Sequence, residues 1–76
     1  MERYKNLGGD SGVAAYEIGT DFIKVQFKTG SIYLYPYSSA GSSNIETMKE
    51  LAINGEGLNS FIGRAVRSKY ASILRK

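Results

Sequence analysis

The chain reads as an α+β domain: a three-stranded antiparallel β-meander followed by two helices packed on one face. Three observations predict this. Apolar Ile23, Val25 and Phe27 alternate with Lys24, Gln26 and Lys28, the period of a half-buried strand. Lys28-Thr29-Gly30-Ser31 then turns the chain into Ile32-Tyr33-Leu34-Tyr35-Pro36-Tyr37, a second run of strand formers. Beyond residue 43 the apolar spacing lengthens to that of a helix.

Taken in order, residues 1 to 10 form a flexible lead-in. Asn6-Leu7-Gly8-Gly9-Asp10-Ser11-Gly12 is rich in turn formers and holds almost nothing to bury. A single domain then spans residues 11 to 76. Its first strand is Val13-Ala14-Ala15-Tyr16-Glu17-Ile18, and Gly19-Thr20-Asp21 turns the chain. The second strand is Phe22 to Lys28. In the hairpin that follows, Gly30 is the residue able to take positive φ. The third strand runs from Ile32 to about Tyr37, and Pro36 points to an edge or a strand end.

Ser43 and Glu46 then have the spacing of a capping box. Ile45, Met48, Leu51 and Ala52 make the apolar stripe of a first helix, which Asn54-Gly55 ends. A second helix starts between Gly57 and Asn59. It carries Leu58, Phe61, Ile62, Ala65 and Val66, then Tyr70 and Ile73, at helical spacing. Gly63 lies inside it, as a tolerated weakness or as the mark of a close backbone approach.

Composition excludes several classes of function. A chain of 76 residues leaves no room for a second core. There is no cysteine, hence no disulfide and no zinc-thiolate site. There is no histidine, which removes ordinary triads and imidazole metal sites. Glu46 and Glu50 are four apart on a helix and read as a solvated face. Gly55-Glu56-Gly57 begins like a phosphate-binding fingerprint, but Ser60 holds the third glycine position and no strand precedes it. The expectation is a non-enzyme with no cofactor and no metal. No apolar run reaches the roughly 20 residues of a bilayer span, and no apolar stretch follows Met1 to Lys5. A soluble cytoplasmic protein is the default.

The net charge of +3 is unevenly spread. Residues 1 to 60 carry five cations and seven acids, whereas residues 61 to 76 carry Arg64, Arg67, Lys69, Arg75 and Lys76 and no acid. Such an end suits a polyanion. The same cations also suit the C-terminal end of a helix dipole.

Alternation places Tyr33, Tyr35 and Tyr37 on one face of a strand. That face is decided by the pairing register, which sequence leaves open. Facing outward, the rings lie beside Lys24 and Lys28, the combination that stacks bases and holds phosphates. Facing inward, they are core.

Three segments together resemble the KTSC domain: Phe27 to Tyr35, Gly57 to Ile62, and Arg67-Ser68-Lys69-Tyr70. This module of similar size is named for the C-terminus of some lysyl-tRNA synthetases. It also occurs alone in small bacterial and phage proteins. Its central Tyr-x-Tyr is matched by Tyr33 and Tyr35. A later Gly/Asn/Ile patch is matched loosely by Gly57, Asn59 and Ile62, and Leu58 stands where the family usually has a larger aromatic. The resemblance covers roughly residues 11 to 70. It implies a stand-alone module, a role at RNA drawn from its place beside a tRNA enzyme, and Tyr33, Tyr35, Lys28 and Asn59 as the positions to test.

Two functions follow as expectations. The first is binding of single-stranded or structured RNA. Tyr33, Tyr35 and Tyr37 would meet bases, and Lys24, Lys28, Asn59, Arg64, Arg67 and Lys69 the rest of the strand. The second is a protein-interaction or self-association module, a homodimer among its forms, using the tyrosine-bearing strand as an edge.

Overall fold

The computed structural model describes residues 1–9 and 11–76. Asp10, counted above among the turn formers of the lead-in, lies outside the described residues. The class is α+β, with five antiparallel strands in sequential order. They are β1 (Glu2–Arg3), β2 (Val13–Ile18), β3 (Phe22–Phe27), β4 (Ile32–Pro36) and β5 (Ser72–Arg75). Three helices lie between β4 and β5: α1 (Tyr37–Ala40), α2 (Ser42–Asn54) and α3 (Leu58–Phe61). A π-helical turn, Ile62–Val66, continues α3.

The β2–β3–β4 meander matches the sequence reading, and two further strands extend it. Gly30 takes φ 97° in the β3–β4 turn, where the Phe27 N–H donates to the Ser31 carbonyl at 2.9 Å. Val25 pairs with Tyr33 and Ile23 with Tyr35, so Tyr33 and Tyr35 share the face of Ile23 and Val25. That face meets the helices. Ile23, Val25 and Tyr35 form one core with Ile45, Met48 and Ala52 of α2, with Leu58 of α3, and with Ile62 and Val66 of the π turn. The opposite face carries Glu17, Lys24 and Leu34 in register.

The lead-in buries more than its composition implies. Glu2–Arg3 pairs with Ala15 and Tyr16. Tyr4 is core, and its hydroxyl accepts the Leu58 N–H at 3.2 Å. The Leu7 N–H donates to the Gly55 carbonyl at 2.8 Å. Gly55 suits this approach: its φ is 79°, and a Cβ there would lie 2.5 Å from Lys5 Cβ.

Two helical expectations are corrected, and the alternatives at Gly63 are decided. The capping box does not form. Gly41 stands at the N-cap, and Ser43 is already inside the helix, its carbonyl accepting the Thr47 hydroxyl at 3.0 Å. The second helix stops at Val66 rather than running on to Ile73. Tyr70 and Ile73 fit a helical stripe, but a four-residue strand holding Ile73 pairs with the free edge of β4, and Tyr70 packs on Tyr33 from the crossing before it. Ile73 pairs with Tyr33, and the Ala71 N–H donates to the Leu34 carbonyl at 2.8 Å. Gly63 marks no close approach, since a Cβ there meets nothing within 4 Å.

Candidate functional site

Alternation in β3 and β4 sends Phe27, Tyr33 and Tyr35 to the helix face of the sheet. Helix α2 packs against β3 and β4 on that face, and Ile23 and Tyr35 share its core. Beside the β3–β4 turn a cleft of about 390 Å³ remains. Phe27, Tyr33 and Tyr35 line it with Ile62 of the π turn, and Lys28 and Arg67 complete its charge. Gly12, Thr29 and Ser31 close its rim.

The rings are held by one another. Phe27 meets Tyr33 edge-on with centroids 5.4 Å apart. Tyr33 and Tyr35 lie nearly parallel at 6.4 Å. Tyr70, carried by the crossing into β5, sits edge-on to Tyr33 at 4.9 Å and to Tyr35 at 6.4 Å. Edge-on pairs of this kind add about 0.5–1.5 kcal/mol beyond area burial. Tyr33 is half-buried, whereas Tyr35 is 1% exposed. Burial, with the Tyr33 and Tyr70 phenols close by, pushes the Tyr35 hydroxyl up to about 12.

Charge distinguishes this cleft. Among the described residues its lining holds two cations and no acid. Among the described residues neither Lys28 nor Arg67 forms an ion pair; the pairs there join Lys24 to Glu17 at 3.4 Å and Lys49 to Glu46 at 2.8 Å. Aromatic faces beside unneutralised cations can stack a planar ring and hold an anion attached to it.

The other expected site residues lie elsewhere. Lys24 is on the far face of the sheet, paired with Glu17, so it does not interleave with the tyrosines. The reason is register: Lys24 stands opposite Leu34, not opposite a tyrosine. Tyr37 opens α1, off the strand. Its hydroxyl donates to the Glu46 carboxylate, which raises its pKa. Lys49, which also donates to the Thr20 carbonyl at 3.1 Å, holds Glu46 below the usual carboxylate range. Asn59 lines a separate polar pocket of about 270 Å³ with Tyr4, Asn6 and Ser60. Its Oδ1 would lie 3.4 Å from a Cβ at Gly12, a residue that lines the aromatic cleft. Arg64 and Lys69 are exposed on the π turn and beyond it.

Nor is β4 an edge: β3 and β5 flank it, which closes the strand-addition route expected for the tyrosine-bearing strand. Sequence pattern alone does not mark Phe27, Ile62 or Tyr70 as parts of a cleft. The face of Phe27 is legible, since it continues the Ile23/Val25 alternation that the tyrosines join. Among the described residues no cluster of three or more metal-ligating side chains occurs, and no helix is long and apolar enough to cross a membrane.

The chain matches no family model, no curated protein and no solved structure.

Proposed function

We propose that this chain is a non-catalytic module that binds single-stranded nucleic acid, RNA foremost, by seating one unstacked base in the aromatic cleft. One observation carries the reading: Phe27, Tyr33 and Tyr35 line a cleft whose charged residues, among those described, are the cations Lys28 and Arg67. Base stacking on an aromatic ring contributes about 1–3 kcal/mol and tolerates any base. Lys28 and Arg67 meet the flanking phosphates, and exposed Arg64 and Lys69 extend the positive track. The volume, about 390 Å³, falls at the lower end of ligand pockets and suits a single base. The KTSC resemblance belongs to this proposal, because Tyr33 and Tyr35, which carry it, line the cleft. Asn59 falls outside.

Titration of isotope-labelled protein with short single-stranded RNA, at low and moderate salt, tests the reading. Amide shifts at Lys28, Tyr33, Tyr35 and Arg67 that shrink with salt are expected. Absence of shifts at low salt sinks it. A second reading, self-association, rests on β5, an edge strand whose Ser72, Leu74 and Arg75 are exposed. Sedimentation over a range of concentrations tests that alternative, and a concentration-independent monomer removes it.

A further inference from the structure

We propose that the Tyr35 hydroxyl is the specificity group of the cleft, selecting a base with a hydrogen-bonding edge over an apolar ring of the same shape. This rests on the nucleic-acid reading above and names what that site discriminates.

The inference comes from polar satisfaction. Tyr35 is among the largest fully buried side chains of the molecule. The hydroxyls of Tyr4 and Tyr37 each have a partner, the Leu58 N–H and the Glu46 carboxylate. Tyr35 has none among the described residues. Yet no side-chain oxygen or nitrogen there is sealed from solvent without a partner. Both facts hold together when the small exposed remnant of Tyr35 includes its hydroxyl, and Tyr35 is one of the residues that line the cleft. The ring is therefore core, and its polar tip faces the cleft.

A buried hydroxyl seeks a hydrogen bond, and this one finds it outside the protein. A neutral phenol donates once and accepts as well, so it serves either a carbonyl or an amino edge. Burial keeps it neutral well beyond physiological pH. Tyr33 and Tyr70 fix the ring from the side, so the hydroxyl is pre-positioned. A site built to bond a polar edge rejects an isostere that lacks it far more strongly than an apolar pocket rejects an added group.

The probes are short oligouridine and the oligomer in which difluorobenzene, an apolar isostere, replaces uracil. The variant is Tyr35→Phe, which removes no protein hydrogen bond of the described residues and keeps the ring. Wild type is expected to prefer oligouridine about tenfold. Y35F is expected to lose that preference, to keep the same salt dependence, and to unfold at the same temperature or higher. Y35F that retains the wild-type preference overturns the proposal and leaves the nucleic-acid reading standing. Wild type that binds neither oligomer at low salt overturns both. A measurement on wild type alone bears on the same point. The Tyr35 ζ-carbon resonance should move with oligouridine and not with the isostere, and equal movement with both overturns the proposal.

Discussion

Among the described residues two sites bring a tyrosine and a lysine together, and only one leaves its cations without an acid partner. At the start of α1, Tyr37, Glu46 and Lys49 satisfy one another, and Lys49 lies 5.5 Å from the Tyr37 ring centroid. At the β3–β4 turn, Tyr33 and Tyr35 face a cleft lined by Lys28 and Arg67, with no acid among the described residues. The residue types are similar, but the available charge is not. A lysine already bonded to a carboxylate offers a phosphate little, because the phosphate must displace the acid. A binding site is therefore recognised by what its groups still lack, not by which groups it has.

The largest expected effect separates the sites by burial. Tyr35→Ala empties the core between β4 and α2 and should cost about 3–5 kcal/mol. A domain of this size holds on the order of 4–11 kcal/mol, so the variant is marginal. Tyr37→Ala, at the more exposed site, should cost clearly less. Urea unfolding of both variants measures the difference. Equal costs would mean that Tyr35 is not the structural member of the pair.

The next effect separates them by charge. Lys28→Ala and Arg67→Ala should each weaken binding to single-stranded RNA about tenfold at low salt, and each should lower the slope of affinity against salt by about one ion. Lys49→Ala should leave both unchanged, since Lys49 already donates to Glu46 and Thr20. Stability should stay within about 0.5 kcal/mol for the two exposed positions. Binding that falls equally in all three variants would place the contact on net charge and not on the cleft.

How far the sequence reveals this contrast depends on the range of the interaction. Strands β2, β3 and β4 and helix α2 are legible because each has its own period and punctuation. Strand β1 is two residues long and has no period to read. Strand β5 is hidden because Ile73 continues the helical stripe through Tyr70 as well as it fits a strand, and the free edge of β4 decides between them only in three dimensions. The cleft is half legible. Tyr33, Tyr35, Lys28 and Arg67 are recognisable by type, but Lys24 joins or leaves them according to a register that no local signal sets. Tyr37 leaves them because the chain turns helical directly after Pro36. Whether a cation is already paired is likewise a tertiary fact, and it is what divides the two sites.

The smallest effect lies in pH, and its sign is opposite at the two sites. Glu46 is held below its ordinary value of 4.5, mainly by hydrogen bonding from Lys49 and Tyr37. Its contribution is therefore present above about pH 4.5 and is lost as pH falls through the lower folded value. Tyr35 is pushed from 10.0 to about 12, so its contribution is complete below pH 10 and is lost as pH rises toward 12. Thermal midpoints across pH for wild type, Glu46→Gln and Tyr35→Phe should show a flatter acid limb in E46Q and a flatter alkaline limb in Y35F. The acid effect should be the weaker of the two and should fade with salt, because the Tyr37, Glu46 and Lys49 trio faces solvent, where ion pairs are screened. An acid limb in E46Q that matches wild type would mean that Glu46 neutralises Lys49 too weakly to withhold it from a phosphate. The charge contrast between the two sites would then fail, leaving burial as the difference between them.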